Sequence, residues 1–147
     1  MAHAENEVVI NRSAADVYAY LADGLNDTHW RQGVKSIALK SGTPGEKGAV
    51  YSQTLSGPGG RDIPGDFEIT EAVPGRELRF QVTAGPARPA GVFTLTAEEK
   101  GTRVRFSLDL APKGLMRLAG PMINRTLRSE VAQLDRLKTE LEGNARA

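Results

Sequence analysis

Val104, Phe106, Leu108 and Leu110 alternate with Arg103, Arg105, Ser107 and Asp109, a period of two that predicts a strand with one apolar and one polar face. The same texture recurs upstream. Ile37 and Leu39, residues 49–55, Phe67 with Ile69, then Leu78, Phe80 and Val82, and residues 92–97 with Phe93 and Leu95 on one face all read as strands. Turn residues separate them at 41–45, 56–60, 73–75, 85–86 and 100–101, each rich in glycine or proline or both. Connections this short join antiparallel neighbours, not parallel strands with crossover helices. A sheet with one apolar face needs a cover.

Helical spacing supplies it. Leu115, Leu118, Met122, Ile123, Leu127, Val131, Leu134, Leu137 and Leu141 recur at steps of three and four, with Arg125, Arg128, Glu130, Asp135, Arg136, Lys138, Glu140 and Glu142 opposite. A helix over 113–142 would be roughly 40 Å long and would lie diagonally across the sheet. Arg136 with Glu140 and Asp135 with Lys138 are spaced to pair along its surface. Gly120-Pro121 predicts a kink there, or a fresh helix start with Pro121 in its first turn. Near the start, Val8-Val9-Ile10 is a short strand, and Ser13 with Asp16 three residues on resembles a capping box. A helix over 14–22 follows, then a turn capped by Asn26-Asp27-Thr28 that carries His29 and Trp30. The expectation is one α+β domain over 1–147, ordered from about 5 to 143, with six or seven strands in a curved antiparallel sheet around a long C-terminal helix.

Composition narrows the chemistry. The 147 residues fit one domain, and a domain of this size buries enough surface to need no covalent staples. The absence of cysteine excludes disulfides, thiolate metal sites and cysteine nucleophiles. Nineteen basic residues against 18 acidic ones leave a net charge of +1, without the clustered basic excess of a nucleic-acid surface. No apolar run approaches the length of a membrane span, and the first residues lack the features of a signal peptide. Hence no nucleic acid and no stable membrane insertion are expected, and a cytoplasmic monomer or homodimer is.

Residues 8–18 (Val-Val-Ile-Asn-Arg-Ser-Ala-Ala-Asp-Val-Tyr), Trp30 leading to Gly33-Val34, the Gly101-Thr102-Arg103-Val104 hairpin and the amphipathic last helix together resemble the polyketide cyclase/dehydrase-like branch of the START and pollen-allergen-like, helix-grip superfamily. The resemblance runs from about residue 7 to 142. It implies a cavity between sheet and last helix that takes apolar molecules such as lipids or polyketides. Since the fold hosts cyclases, carriers and interaction proteins, it narrows the ligand class without fixing an activity.

Candidate chemistry is sparse. His3 falls in a terminus expected to be disordered, and His29 is a general acid/base candidate on an exposed turn. No metal-ligand spacing, nucleophile elbow or phosphate loop is present, and Gly57-Pro58-Gly59-Gly60 reads as a flexible hairpin tip. Neither metal nor cofactor is expected. Alternation favours Tyr51, Gln53 and Leu55 on the inner face, where Gln53 would orient a ligand; the other register turns Val50, Ser52 and Thr54 inward. The expected ligand-binding set is Trp30, Tyr51, Gln53, Phe67, Phe80, Phe93, Leu118 and Met122, with Met122 an adaptable wall. The function expected is binding or carrying an apolar or aromatic small molecule. The alternatives are a cofactor-free cyclase or dehydratase acting by shaping its substrate, with Tyr51, Gln53 and His29 as its polar groups, or a protein- or ribosome-interaction module.

Overall fold

The computed structural model describes residues 2–111 and 120–144. Its strands are β1 (Ala2–Ile10), β2 (Val34–Ser41), β3 (Val50–Ser56), β4 (Asp62–Pro64), β5 (Phe67–Val73), β6 (Glu77–Val82), β7 (Ala90–Glu98) and β8 (Gly101–Leu110). Helices α1 (Ala14–Ala22) and α2 (Asp27–Trp30) follow β1, and α3 (Gly120–Ala132) and α4 (Leu134–Asn144) end the chain. The strands form one antiparallel sheet in the order β1-β8-β7-β6-β5-β3-β2, with β4 paired to β3 beside this path. This is the α+β helix-grip fold, with eight strands where the alternation marks six or seven. The extra strand, β4, is three residues long, too short for a period to show.

Three local rules set the frame. Ser13 Oγ accepts from the Asp16 amide at 3.1 Å and starts α1 where the capping pattern places it. Asp23 caps the one-turn helix before α2 in the same way, through the Leu25 amide at 3.1 Å. Gly101 has φ +139°, and a Cβ there would meet the Ile10 carbonyl oxygen at 2.0 Å, so only glycine closes the β7–β8 hairpin against the end of β1. Register shifts between Val34 and Ser36, Leu39 and Ser41, and Ile69 and Glu71 bend the sheet into a trough.

β1 starts earlier than its sequence suggests. Its partners run from Ala2↔Leu110 to Ile10↔Thr102, and Ala2 and Ala4 are buried, so His3 is not in a disordered tail. Alanine carries too little apolar weight for this half of the strand to be seen by alternation. His3 instead sits on the outer face, with Nδ1 2.6 Å from Asp109 Oδ1.

The last helix departs from its expected course in a second way. It breaks at Gln133, between α3 and α4, where the Gln133 amide donates to Glu130 O and the Arg136 amide to Gln133 O. The choice between a kink and a fresh helix start at Gly120-Pro121 turns on residues outside those described, as do the positions of Leu115 and Leu118. Of the residues expected to pair along α4, Lys138 pairs with Glu142 at 2.7 Å instead of Asp135, and both Arg136 and Lys138 also tie the helix to the rest of the fold. Arg136 Nε donates to Trp30 O at 3.0 Å, and Lys138 Nζ to Val9 O at 2.6 Å. Leu134, Leu137 and Leu141 are buried, and α4 packs against β1 and α2.

Candidate functional site: a trough with one polar end

Under α3 the sheet and helix do not close on each other. Between the concave face of β3 and β5–β8, α2 and α3 lies a pocket of about 600 Å³. That is the size of a small-molecule site. Its floor is a connected row of rings: Trp30 stands edge-on to Phe93 and Phe106, which stack on each other at 4.3 Å, and the row continues through Phe80 and Phe67 to Tyr51. Gly91 makes the row possible. It faces Phe80 across the β6–β7 ladder, and a Cβ there would meet the ring at 2.1 Å.

Of the residues singled out in the sequence, Trp30, Tyr51, Gln53, Phe67, Phe80 and Phe93 line this pocket. Tyr51 and Gln53 are 1% and 3% exposed, which places them, with the more open Leu55, on the inner face of β3. Leu118 lies outside the described residues. Met122 is a correction: at 69% exposure it points to solvent, because Ile123 and Leu127 take the buried stripe of α3 and leave it on the opposite face. His29 is exposed and is not part of the pocket wall. The polar groups of Tyr51 and Gln53 are already engaged. Gly45 N donates to Tyr51 Oη at 3.1 Å; Gln53 Nε2 donates to Gly65 O at 3.0 Å, and Gln53 Oε1 accepts from Arg31 Nη1 at 3.3 Å.

That last bond leads to the group the sequence did not single out. Arg31 bridges two carboxylates, Asp27 Oδ2 through Nη1 and Glu130 Oε2 through Nη2, each at 3.2 Å. All three residues line the pocket, with Gln53 and Gln133 beside them. Burial drives the Asp27 pKa up from 3.8 to about 6; Arg31 pulls it down and Glu130 adds a little to the rise. Burial works against the Arg31 charge too, but Glu130 and Asp27 together outweigh it and leave its pKa raised. Two donors in this corner are buried with no acceptor at hydrogen-bond distance, Arg31 Nε and Trp30 Nε1, although the indole lies near enough to Asp27 to help hold its pKa down.

The corner is tied from the end of α2 to the helix break. Besides Arg31–Glu130 and Arg136–Trp30, Gln32 N donates to Gln133 Oε1 at 2.5 Å. Asp27 and Arg31 stand four apart on one helical turn, so their pairing was available to pattern reading. Glu130, 99 residues from Arg31, gave no such sign. Among the described residues, no cluster of three or more His, Asp or Glu side chains is arranged to hold a metal ion.

A curved sheet that grips a two-part C-terminal helix around an apolar trough defines a helix-grip domain. Within that class the chain belongs to the polyketide cyclase / dehydrase and lipid transport family, which matches residues 1–142. No curated protein matches its sequence. Among solved structures, DR_A0006 from Deinococcus radiodurans is similar with a TM-score of 0.71 at 16% identity, over 98% of this chain and 99% of that one. The di-domain ARO/CYC StfQ from the steffimycin biosynthetic pathway gives 0.80 at 15% identity, over 99% of this chain and 52% of its own, so this chain spans about half of StfQ. Ara h 8.0201 gives 0.73 at 15% identity, over 94% and 95% of the two chains. At these identities the likeness is one of fold. The family places the chain among proteins with a small-molecule ligand-binding or cyclase role. No helix among the described residues is long and apolar enough to cross a membrane.

Proposed function

We propose that this protein binds an apolar or aromatic small molecule, lipid- or polyketide-like, in the trough between sheet and α3. The observation that carries this is the row of rings from Trp30 to Tyr51 facing about 600 Å³ of space that the protein's own side chains leave open. Apolar burial there is worth about 25 cal/mol per Å² of ligand surface, and the Asp27–Arg31–Glu130 corner fixes which end of the ligand goes in which direction. Trp30 is the chain's one tryptophan, so its fluorescence reports the site directly. Titration with naphthalene- and anthracene-based probes and with long-chain lipids should give saturable quenching or shift, at a stoichiometry of one by calorimetry. Leu127→Trp, which fills the trough, should abolish calorimetric binding. A panel that binds nowhere, or binds equally well to the filled variant, defeats the proposal.

One observation favours a second reading, a cofactor-free cyclase or dehydratase. The pocket wall holds a buried acid, Asp27, whose pKa of about 6 suits proton exchange with a carbonyl compound near neutral pH. The supporting result is cyclisation of a poly-β-ketone, with a rate that titrates near that value and is lost in Asp27→Asn. Binding without turnover leaves the carrier role.

A further inference from the structure

The polar corner carries information about the ligand that the apolar trough does not. Three formal charges meet there: Asp27 and Glu130 negative, Arg31 positive. With both acids ionised the corner is net negative by one charge. The guanidinium is also already spoken for, holding both carboxylates and the Gln53 amide at 3.2–3.3 Å. A ligand carboxylate entering beside Arg31 would therefore find its attraction neutralised and a surplus anion within reach, in surroundings too dry to screen the repulsion. The unfilled hydrogen-bonding capacity points the other way. Two of the buried groups without a hydrogen-bond partner at ideal distance belong to residues of the pocket wall and are N–H donors: Arg31 Nε, and Trp30 Nε1, which has the Asp27 carboxylate beside it. They want an oxygen, and the corner's charge requires that oxygen to be neutral.

We propose that this pocket selects its ligand by charge, taking a molecule whose polar end is a neutral hydrogen-bond acceptor such as a ketone, quinone or ester, and rejecting the same skeleton when it ends in a carboxylate. The selection rests on the trough being a ligand site. It assigns the family's ambiguous ligand class for this chain: oxygenated neutral ring systems, not free fatty acids or other anionic amphiphiles. Asp27 and Glu130 are selectivity determinants in this assignment, and neither need touch a productive ligand.

The test compares matched probes at neutral pH, acetonaphthone against naphthoate, and dodecanoate against its methyl ester, by calorimetry with Trp30 fluorescence as a second readout. The neutral member of each pair should bind at least about tenfold more tightly, a difference of about 1.4 kcal/mol. Glu130→Gln removes one negative charge while leaving Asp27 to hold Arg31, and should narrow the gap to about threefold or less, mainly by improving the anions, an effect loss of fold cannot mimic. Equal affinities within the pairs, or tighter binding of the carboxylates, overturn the charge selection while leaving the trough a ligand site. Binding by none of the four probes overturns that underlying site, and the selection falls with it.

Discussion

Asp27 shows how far a single buried carboxyl can depart from its sequence neighbours. It is 8% exposed, and its pKa of about 6 means that the native state keeps a proton the unfolded chain has released at about pH 4. Its sign is the reverse of an ordinary salt-bridged aspartate. Native stability from this residue is full below the unfolded value of 3.8 and is lost as the pH rises through about 6. The loss is at most about 3 kcal/mol, since each pKa unit is worth about 1.4 kcal/mol. Asp27→Asn removes the ionisation and keeps the shape. Urea unfolding of the two proteins across the mildly acid range should therefore show stability curves that diverge: the wild type loses about 2–3 kcal/mol relative to the variant on going from about pH 4 to 7. A constant offset, equal to whatever the lost Arg31 contact costs, is superimposed on that divergence. Parallel curves would mean that Asp27 titrates as an exposed group does.

The break between α3 and α4 matters for the site because the residues around it hold the segment after α2. Gln133 sits at the break and accepts the Gln32 amide, while Glu130 just before it reaches Arg31 and Arg136 just after it holds the Trp30 carbonyl. Trp30, Arg31 and Gln32 are thus bound by three successive turns of helix. Gln133→Ala should cost about 1 kcal/mol, the usual net worth of one hydrogen bond. It should also release the Gln32 amide, seen as faster hydrogen exchange at that residue with α1 and β8 unchanged. An unaltered Gln32 rate would show that the bond does not restrain the segment. Much of this architecture was legible beforehand. Alternation gave β8 and the ring-bearing faces of β5–β7, and Ser13 with Asp16 gave the start of α1, because these are local signals repeated over several residues. The break at Gln133 was not legible, since the leucine stripe runs through it without losing phase: Val131, Leu134 and Leu137 are all buried. Met122 reads as an adaptable wall from its place in the apolar stripe, but Ile123 beside it takes the buried position and leaves Met122 in solvent. The Glu130 contact is set by tertiary packing across the whole chain, which no local period encodes.

For the molecule as a whole, the division between a packed end and an open end predicts where a ligand will be felt. α4 closes on β1 through Leu134, Leu137 and Leu141, with Ile10, Val17 and Val104 also fully buried, and this end leaves no room. The pocket wall away from that end is formed by residues of the 57–65 and 86–89 segments and by Thr126 and Ser129 of α3. β1 contributes nothing to the pocket wall, and nor does β2, an edge strand whose exposed Lys35 and Lys40 discourage pairing with another sheet. A bound ligand at about a hundred times its Kd should add about 2.7 kcal/mol to stability. For a domain of this length that is a rise in Tm of roughly 5–10 °C. Amide chemical-shift changes should concentrate at Asp27 to Gly33, the inner positions of β3 and β5–β7, both of those segments and Thr126 to Gln133. β1 and β2 should stay close to their free positions. Shifts centred on β2 that grow with protein concentration would instead report edge-to-edge association of two copies, and a Tm rise accompanied by them would belong to that association and not to filling of the trough.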